Sequence, residues 1–86
     1  MSAPPGVYHW RSHSGAEVDL ILERDGKYFP VEIKATGRPG KKDLTGIKAF
    51  RETYQYLNIP VGIVIHLGDS NLWLDRQDIG ISYFSL

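Results

Sequence analysis

The 86-residue sequence contains no cysteine. This absence excludes a disulfide framework, a thiolate zinc site and a thiol nucleophile, and it favours a reducing, cytoplasmic setting. Long apolar runs are also missing, since the longest stretch, residues 61–65, is far shorter than the ~18 residues of a membrane span. Residues 1–6 lack the basic start and apolar core of a signal peptide. We therefore expect no membrane partner, a flexible lead-in over residues 1–6 and one domain over residues 7–86.

An excess of charge of one sign is absent too, because ten basic residues balance ten acidic ones. The neutral total argues against a polybasic protein, but the charges are separated along the chain. Acidic residues cluster between residues 17 and 32, and a basic run follows between residues 34 and 51. Arg38, Lys41 and Lys42 within this run are candidates for contact with a phosphate backbone, although a solvated helix face explains the run equally well.

Hydrophobic periodicity predicts the order β-β-β-α-β-β-β, which is an α/β or α+β domain with one main helix. Alternating residues indicate strands at 7–11, 17–23 and 28–35, the last two joined by the hairpin signal Asp25-Gly26. Strands are also predicted at 61–66, 72–74 and 80–84, with the first of these buried on both faces. A helix over residues 41–57 is indicated by an apolar stripe, which consists of Leu44, Ile47, Phe50, Tyr54 and Leu57.

The hairpin signal also sets a register for the two strands that flank it. If Arg24 faces Lys27, apolar pairs form on one face, namely Leu22–Phe29, Leu20–Val31 and Val18–Ile33. On the other face Asp19 lies opposite Glu32, and Glu17 lies opposite Lys34, where we favour an ion pair. A slip of one residue would destroy the apolar face. We expect the helix to cover that apolar face rather than the acidic one.

Two opposed carboxylates require an explanation, because directly opposed like charges destabilise a strand pair. A cation can lie between Asp19 and Glu32, one acid can be protonated, or Lys34 and an arginine can neutralise the pair. Mg²⁺ often uses only one or two carboxylates together with water and phosphate. The alternative is an ordinary solvated polar face of an antiparallel hairpin.

These residues resemble the PD-(D/E)xK nuclease superfamily. The similarity rests on Gly15-Ala16-Glu17-Val18-Asp19-Leu20 and on Glu32-Ile33-Lys34, with twelve residues between Asp19 and Glu32. The resemblance is narrower for the segment Tyr8-His9-Trp10-Arg11 and the helix with Phe50 and Tyr54. These features are similar to the nuclease-like C-terminal domains that accompany prokaryotic AAA-type ATPases, which form a family of unknown function. The sequence departs from the superfamily in having Val18 where the motif has proline. It also has too few residues before Val7 for the first core helix.

The resemblance implies a restriction-endonuclease-like core with a central mixed sheet, and phosphodiester hydrolysis of DNA or RNA. Asp19, Glu32 and the Ile33 carbonyl would hold Mg²⁺ or Mn²⁺, and Lys34 would orient the attacking water. Glu17 and a polar residue of the following helix, Lys48 or Gln55, would assist. No Walker A motif occurs in the sequence, so an ATPase domain would lie upstream in a longer parent chain.

A second hypothesis is an inactive nuclease-like fold that binds nucleic acid or protein, or serves in assembly. His66 ends a predicted strand, but none of the three histidines has metal-site spacing. We assign Trp10 and Trp73 to packing rather than to stacking on bases. Exposed sheet edges near Val7 and Phe84 would allow a homo-oligomer.

Overall fold

The computed structural model describes residues 6–86. Its strands are β1 (Gly6–Arg11), β2 (Glu17–Arg24), β3 (Lys27–Ile33), β4 (Gly62–His66), β5 (Leu72–Trp73) and β6 (Asp78–Ser82). Helix α1 (Thr45–Thr53) follows a 3₁₀ turn at Lys41–Leu44, and a second 3₁₀ turn spans Tyr83–Ser85. The predicted lead-in lies outside the described residues except for Gly6, which begins β1. The predicted fold class, a mixed sheet with one main helix, is confirmed.

All strands belong to one sheet with the order β1-β2-β3-β4-β6-β5. The pairs β1–β2 and β2–β3 are antiparallel, whereas β3–β4 and β4–β6 are parallel. Strand β5 closes the far edge as an antiparallel neighbour of β6. Helix α1 connects the parallel strands β3 and β4, so the helix and the sheet form two layers.

The β2–β3 hairpin has the predicted register, with the pairs Leu20–Val31, Leu22–Phe29 and Arg24–Lys27. Asp25 and Gly26 both adopt positive φ angles, 53° and 78°. Positive φ at both central residues defines the type I′ turn, whose twist matches that of the strands it joins. The Asp-Gly dipeptide therefore fixes the register, as the sequence indicated.

The prediction that Val18 lies on the same face as Leu20 is wrong. Tyr8 pairs with Ile21 but Trp10 pairs with Val18, so β2 contains one extra residue between these positions. Such a bulge reverses the alternation of side chains along a strand. Val18 is fully buried and packs with Ile21 and Phe50, whereas the β2–β3 ladder ends at Leu20–Val31.

The expectation that the helix covers the apolar face of the hairpin is also wrong. Phe50 of α1 packs on Ile21, which lies on the same face of the hairpin as Glu32. A second cluster, Leu44, Ile47, Val64 and Leu74, continues this core across the sheet. Crossovers between parallel strands are right-handed in nearly all proteins, so the connection from β3 to β4 selects the face whatever its polarity.

The opposite face of the sheet, which we call the open face, is not covered by any element of the described residues. Strand β4 is therefore buried on one face rather than on both, contrary to prediction, since Gly62, Val64 and His66 are buried and the isoleucines between them are only half-buried. Strand β6 likewise turns Asp78, Gly80 and Ser82 inward. The register defines the residues of the open face, which are Leu20, Leu22, Phe29, Val31, Ile33, Ile63, Ile65, Ile79 and Ile81.

Candidate active site

A polar cleft of about 330 Å³ lies where β2 and β3 meet the start of α1. The cleft contains Asp19, Glu32 and Lys34, the three side chains to which the sequence assigned the chemistry. The other lining residues are Gly15, Ala16, Glu17, Ile33, Thr45 and Gly46. Ile33, predicted to offer its carbonyl to a metal, thus lies in the same cleft.

Asp19 and Glu32 are joined by two reciprocal hydrogen bonds between side chain and backbone. The amide of Asp19 donates to Oε1 of Glu32 at 3.1 Å, and the amide of Ile33 donates to Oδ2 of Asp19 at 2.8 Å. These bonds lie just beyond the last ladder pair, Leu20–Val31. Each carboxylate therefore uses one oxygen to hold the two strands together where the ladder ends.

The second oxygen of Glu32 contacts Lys34, with 3.3 Å between Oε2 and Nζ. The Glu32 side chain is only 8% exposed, whereas that of Lys34 is 41% exposed. Burial raises the pKa of the Glu32 carboxyl, and the negative charge of Asp19 adds to this effect. The hydrogen bond from the Asp19 amide and the positive charge of Lys34 lower this pKa, but they do not fully offset the effect of burial. The charged form of Glu32 is thus held in the cleft at a cost in free energy.

The predicted ion pair between Glu17 and Lys34 is wrong. Glu17 forms an ion pair with Arg11 of β1, and Lys34 pairs with Glu32 instead. The bulge in β2 explains the difference, because the pairing of β2 with β3 no longer extends to residue 17. Glu17 still lines the cleft, but its carboxylate is held by the neighbouring strand.

Helix α1 approaches the cleft unusually closely through Gly46. A Cβ atom at this position would collide with the carbonyl oxygen of Glu17 and would lie 3.6 Å from Oε2 of Glu32. Glycine is required because the backbone of the helix packs directly on the backbone of β2. The preceding residue, Thr45, also lines the cleft. The sequence did not point to either residue, since an interior glycine in a helical pattern indicates only a lower helix propensity.

The predicted assisting residues of the helix lie elsewhere. Neither Lys48 nor Gln55 lines the cleft, and both are exposed. Lys48 lies near Asp75. Burial raises the pKa of the Asp75 carboxyl, but hydrogen bonds from Gln77 and Asp78 and the positive charge of Lys48 have a larger combined effect, so the pKa is lowered.

The three predicted nucleic-acid contacts are all exposed. Lys41 and Lys42 form the 3₁₀ turn directly before Thr45, which places them near the helix end that borders the cleft. Arg38 lies in the preceding loop, where its amide donates to the hydroxyl of Thr36 at 3.1 Å. The basic run thus begins beside the cleft and continues away from it along α1.

The donor set of the cleft is sparse but suits a hard divalent cation. Within residues 6–86 no group of three or more His, Cys, Asp or Glu side chains is arranged to hold a metal ion. Asp19 and Glu32 offer carboxylate oxygens, and Mg²⁺ commonly binds through two carboxylates with water and a substrate phosphate completing the shell. The residues present therefore fit a magnesium or manganese ion that is held jointly by protein and substrate.

A second carboxylate–cation pair lies at the other end of the helix, and no sequence pattern indicated it. Arg51 of α1 donates two hydrogen bonds to Asp78 of β6, at 2.9 and 3.2 Å. Asp78 is fully buried and also accepts from the amide of Gly62. This pair ties α1 to β4 and β6. His66 is buried in the same sheet, and its Nδ1 accepts from the amide of Gly68 at 2.9 Å.

Comparison with known proteins identifies the family to which this domain belongs. A family model described as a domain of unknown function (DUF4143) matches residues 1–85. The chain belongs to DUF4143. Two relatives, uncharacterized proteins of Mycobacterium bovis and Mycobacterium tuberculosis, are each 43% identical to this DUF4143 chain over 37 residues. The matched segment is 43% of this chain but only 8% of either relative. No solved structure matches.

Within the described part of the chain, no helix has the length and apolar character needed to cross a membrane.

Proposed function

We propose that this DUF4143 domain hydrolyses phosphodiester bonds of nucleic acid with the help of Mg²⁺ or Mn²⁺. The supporting observation is that Asp19 and Glu32, joined by their reciprocal hydrogen bonds, lie in one cleft with Lys34. Two carboxylates and a lysine on adjacent strands are the arrangement of the PD-(D/E)xK nucleases that the sequence resembles. The cytoplasmic setting and an upstream ATPase domain, suggested by the lack of cysteine and by that resemblance, belong to the same proposal.

The reaction converts a phosphodiester and water into a phosphomonoester and an alcohol. The water oxygen bonds to phosphorus, the bond to the leaving oxygen breaks, one water proton passes to solvent and the leaving oxygen acquires a proton. The divalent cation, when bound, lowers the pKa of water and polarises a phosphoryl oxygen. Asp19 and Glu32 hold the cation in place. Lys34, half exposed at the mouth of the cleft, carries the positive charge that stabilises the developing negative charge on phosphate.

The basic residues beside the cleft fit a nucleic-acid substrate. Lys41 and Lys42 are exposed directly before the helix end that borders the cleft, and Arg38 is exposed in the loop before them. Contacts from lysine and arginine to phosphates position a nucleic acid without reading its sequence. We therefore assign the three residues to backbone contacts flanking the reacting phosphate.

The metal site is tested by titrating ¹⁵N-labelled protein with Mn²⁺ and following which amide signals broaden. We expect localised broadening at Asp19 and at residues 32–34, and its loss in Asp19→Asn. The asparagine side chain introduced by this substitution retains an oxygen that can accept from the Ile33 amide, so the variant should keep its fold. Asp69→Asn, which removes the same negative charge at an exposed position, is the matched control. No localised broadening at millimolar Mn²⁺ would refute the metal site.

Activity is then tested on single- and double-stranded DNA and RNA with Mg²⁺, Mn²⁺ or a chelator. We expect cleavage that depends on metal and falls at least about 100-fold in Asp19→Asn, which removes a charged ligand of the cation, and in Lys34→Ala, which removes the positive charge beside the phosphate. Cleavage that persists unchanged in both variants would come from a contaminant and would contradict the proposal.

A second candidate is an inactive fold that serves in binding or assembly. The observation in its favour is that both carboxylates already bond backbone amides and so hold β2 to β3 without a metal. Under this hypothesis Asp19→Asn changes the free energy of unfolding, whereas the amide spectrum shows no localised response to Mn²⁺.

A further inference from the structure

The open face of the sheet carries an apolar surface that reaches from one side of the domain to the other. Three rows of side chains run across neighbouring strands: Leu20, Val31, Ile63 and Ile79 form one, Ile33, Ile65 and Ile81 form the next, and Leu22 and Phe29 form the third. Trp73 of the edge strand β5 extends the first row, since it pairs with Ile79. Leu67 and Tyr83 extend the second row around Ile33 and Ile65.

The side chains in the centre of this surface are half-buried against one another, with Val31 buried, and those around them are exposed. Ile33 is 56% exposed, Trp73 is 62% exposed and Tyr83 is 58% exposed. Central parallel strands such as β3, β4 and β6 are normally covered on both faces. Both hydrophobic clusters of the core lie on the helix side, so the open face is left without a packing partner among residues 6–86.

We propose that a second copy of this chain covers the open face, so that two sheets pack face to face in a homodimer. The first argument is area. The domain is a slab of 37 × 34 × 21 Å. A contact that covers most of the broad face would reach the ~800 Å² per partner of a standard stable interface. Two such sheets pack about 10 Å apart with their strands nearly aligned.

The second argument is charge. The three rows contain no charged residue, and the next pair on the same face, Arg24–Lys27, lies at the exposed tip of the hairpin, at the rim of the surface. The chain as a whole has no net charge, so two copies meet over the apolar rows without long-range repulsion. Contiguous apolar patches of more than several hundred Å² mark protein–protein contacts in soluble domains. The helix side of each copy, with its cleft, stays accessible, so the dimer is independent of the proposed hydrolysis.

Analytical ultracentrifugation of the 86-residue chain between 1 and 100 µM tests the proposal. We expect the wild-type chain to sediment with twice the monomer mass at the upper concentrations. Ile65→Lys places a charge in the contact and should weaken association at least about 100-fold. Trp73→Ala removes an exposed ring, so the monomer should keep its fold while the dimer weakens. Thr53→Lys, which adds the same charge on the exposed side of α1, is the matched control and should leave the dimer intact.

Each alternative gives a different result. A wild-type chain that stays monomeric at 100 µM would overturn the proposal and leave the open face to another segment of a longer chain. A dimer that survives both Ile65→Lys and Trp73→Ala would also overturn it, since that dimer would form through an exposed edge such as β1. Far-UV circular dichroism of each variant establishes that the monomer is folded.

Discussion

The two ends of helix α1 hold two carboxylate–cation groups that differ in their burial and in their hydrogen-bond partners. At the C-terminal end, Asp78 accepts two hydrogen bonds from Arg51 and one from the Gly62 amide, and it is fully buried. At the N-terminal end, Glu32 has one backbone bond and one lysine that is 41% exposed. The Arg51–Asp78 pair ties α1 to the sheet through several direct hydrogen bonds, although the buried Nε of Arg51 has no partner. A half-exposed pair beside a cleft instead keeps charge available for a ligand.

The largest effect is expected at Asp78, where the carboxylate is fully buried. Asp78→Ala leaves the Arg51 guanidinium without its carboxylate and removes one of the two acceptors of the Gly62 amide, which also donates to the Gln77 carbonyl. Breaking a buried pair in this way costs about 3–5 kcal/mol. Urea unfolding should therefore show a loss of this size in the free energy of unfolding, or no folded protein at all. Asp69→Ala, which removes an exposed acid, should change it by less than about 0.5 kcal/mol. A small loss in Asp78→Ala would contradict the contrast between the two groups.

The second largest effect on the free energy of unfolding is expected at Gly46, where the helix closely approaches the cleft. Gly46→Ala should destabilise the domain by about 1–3 kcal/mol, because the new methyl group collides with the Glu17 carbonyl and forces the helix away from β2. Helix propensity alone predicts the opposite sign, a gain of about 1 kcal/mol. Gly37→Ala, whose new methyl group meets no neighbour, is the control. If Gly46→Ala were stabilising in thermal or urea unfolding, the helix would not pack on β2 as described.

For the Glu32–Lys34 pair at the N-terminal end of α1, we expect loss of the carboxylate to raise the free energy of unfolding rather than to lower it. Because burial raises the pKa of Glu32 above its unfolded value, the charged form weakens the fold, and this cost is present above the folded pKa and disappears as the pH falls through it. Glu32→Gln should therefore raise the free energy of unfolding at pH 7 by up to about 1 kcal/mol while abolishing the response to Mn²⁺. The advantage of the variant should shrink as the pH is lowered below the raised pKa. Urea unfolding at pH 7 and at pH 4 checks both statements.

The smallest effect belongs to the exposed ion pair at the rim of the cleft. Side chains of Arg11 and Glu17 are 67% and 39% exposed, and pairs of this kind contribute about 0.5 kcal/mol or less. Glu17→Gln should thus leave unfolding by urea nearly unchanged. It should also leave Mn²⁺ broadening at Asp19 in place, because Arg11 rather than a metal holds the Glu17 carboxylate. Loss of the broadening in this variant would make Glu17 a metal ligand.

The parts of the structure that the sequence predicted correctly depend on local geometry. The Asp25-Gly26 turn determines the pairs of the hairpin, and those pairs bring Asp19 close to Glu32 across two strands. The roles of Asp19, Glu32 and Lys34 remain predictions, but their presence in one cleft followed from the register. The geometry of such a turn can be predicted from the sequence because two adjacent residues determine it.

The parts that were missed depend on contacts between distant segments. No pattern within β2 signals its bulge, which arises from the pairing with β1 and places Val18 in the core. The last predicted strand, residues 80–84, lies at Asp78–Ser82 instead, because Asp78 is drawn into the core by its bonds to Arg51. Helix α1 ends at Thr53 rather than at Leu57, and Tyr54 and Leu57 still pack at the edge of the core.

The separation of the bonded residues along the chain also suggests an order of folding. The bonds that join Asp19 to the Glu32 region span 13 and 14 residues within one hairpin, whereas the Arg51–Asp78 bonds span 27 residues and require β6. Contacts within a hairpin form before contacts that close longer loops, since hairpins form in microseconds and non-local pairing is slower. The acid pair is therefore assembled early, and the buried pair that locks the helix onto the sheet is among the last contacts to form.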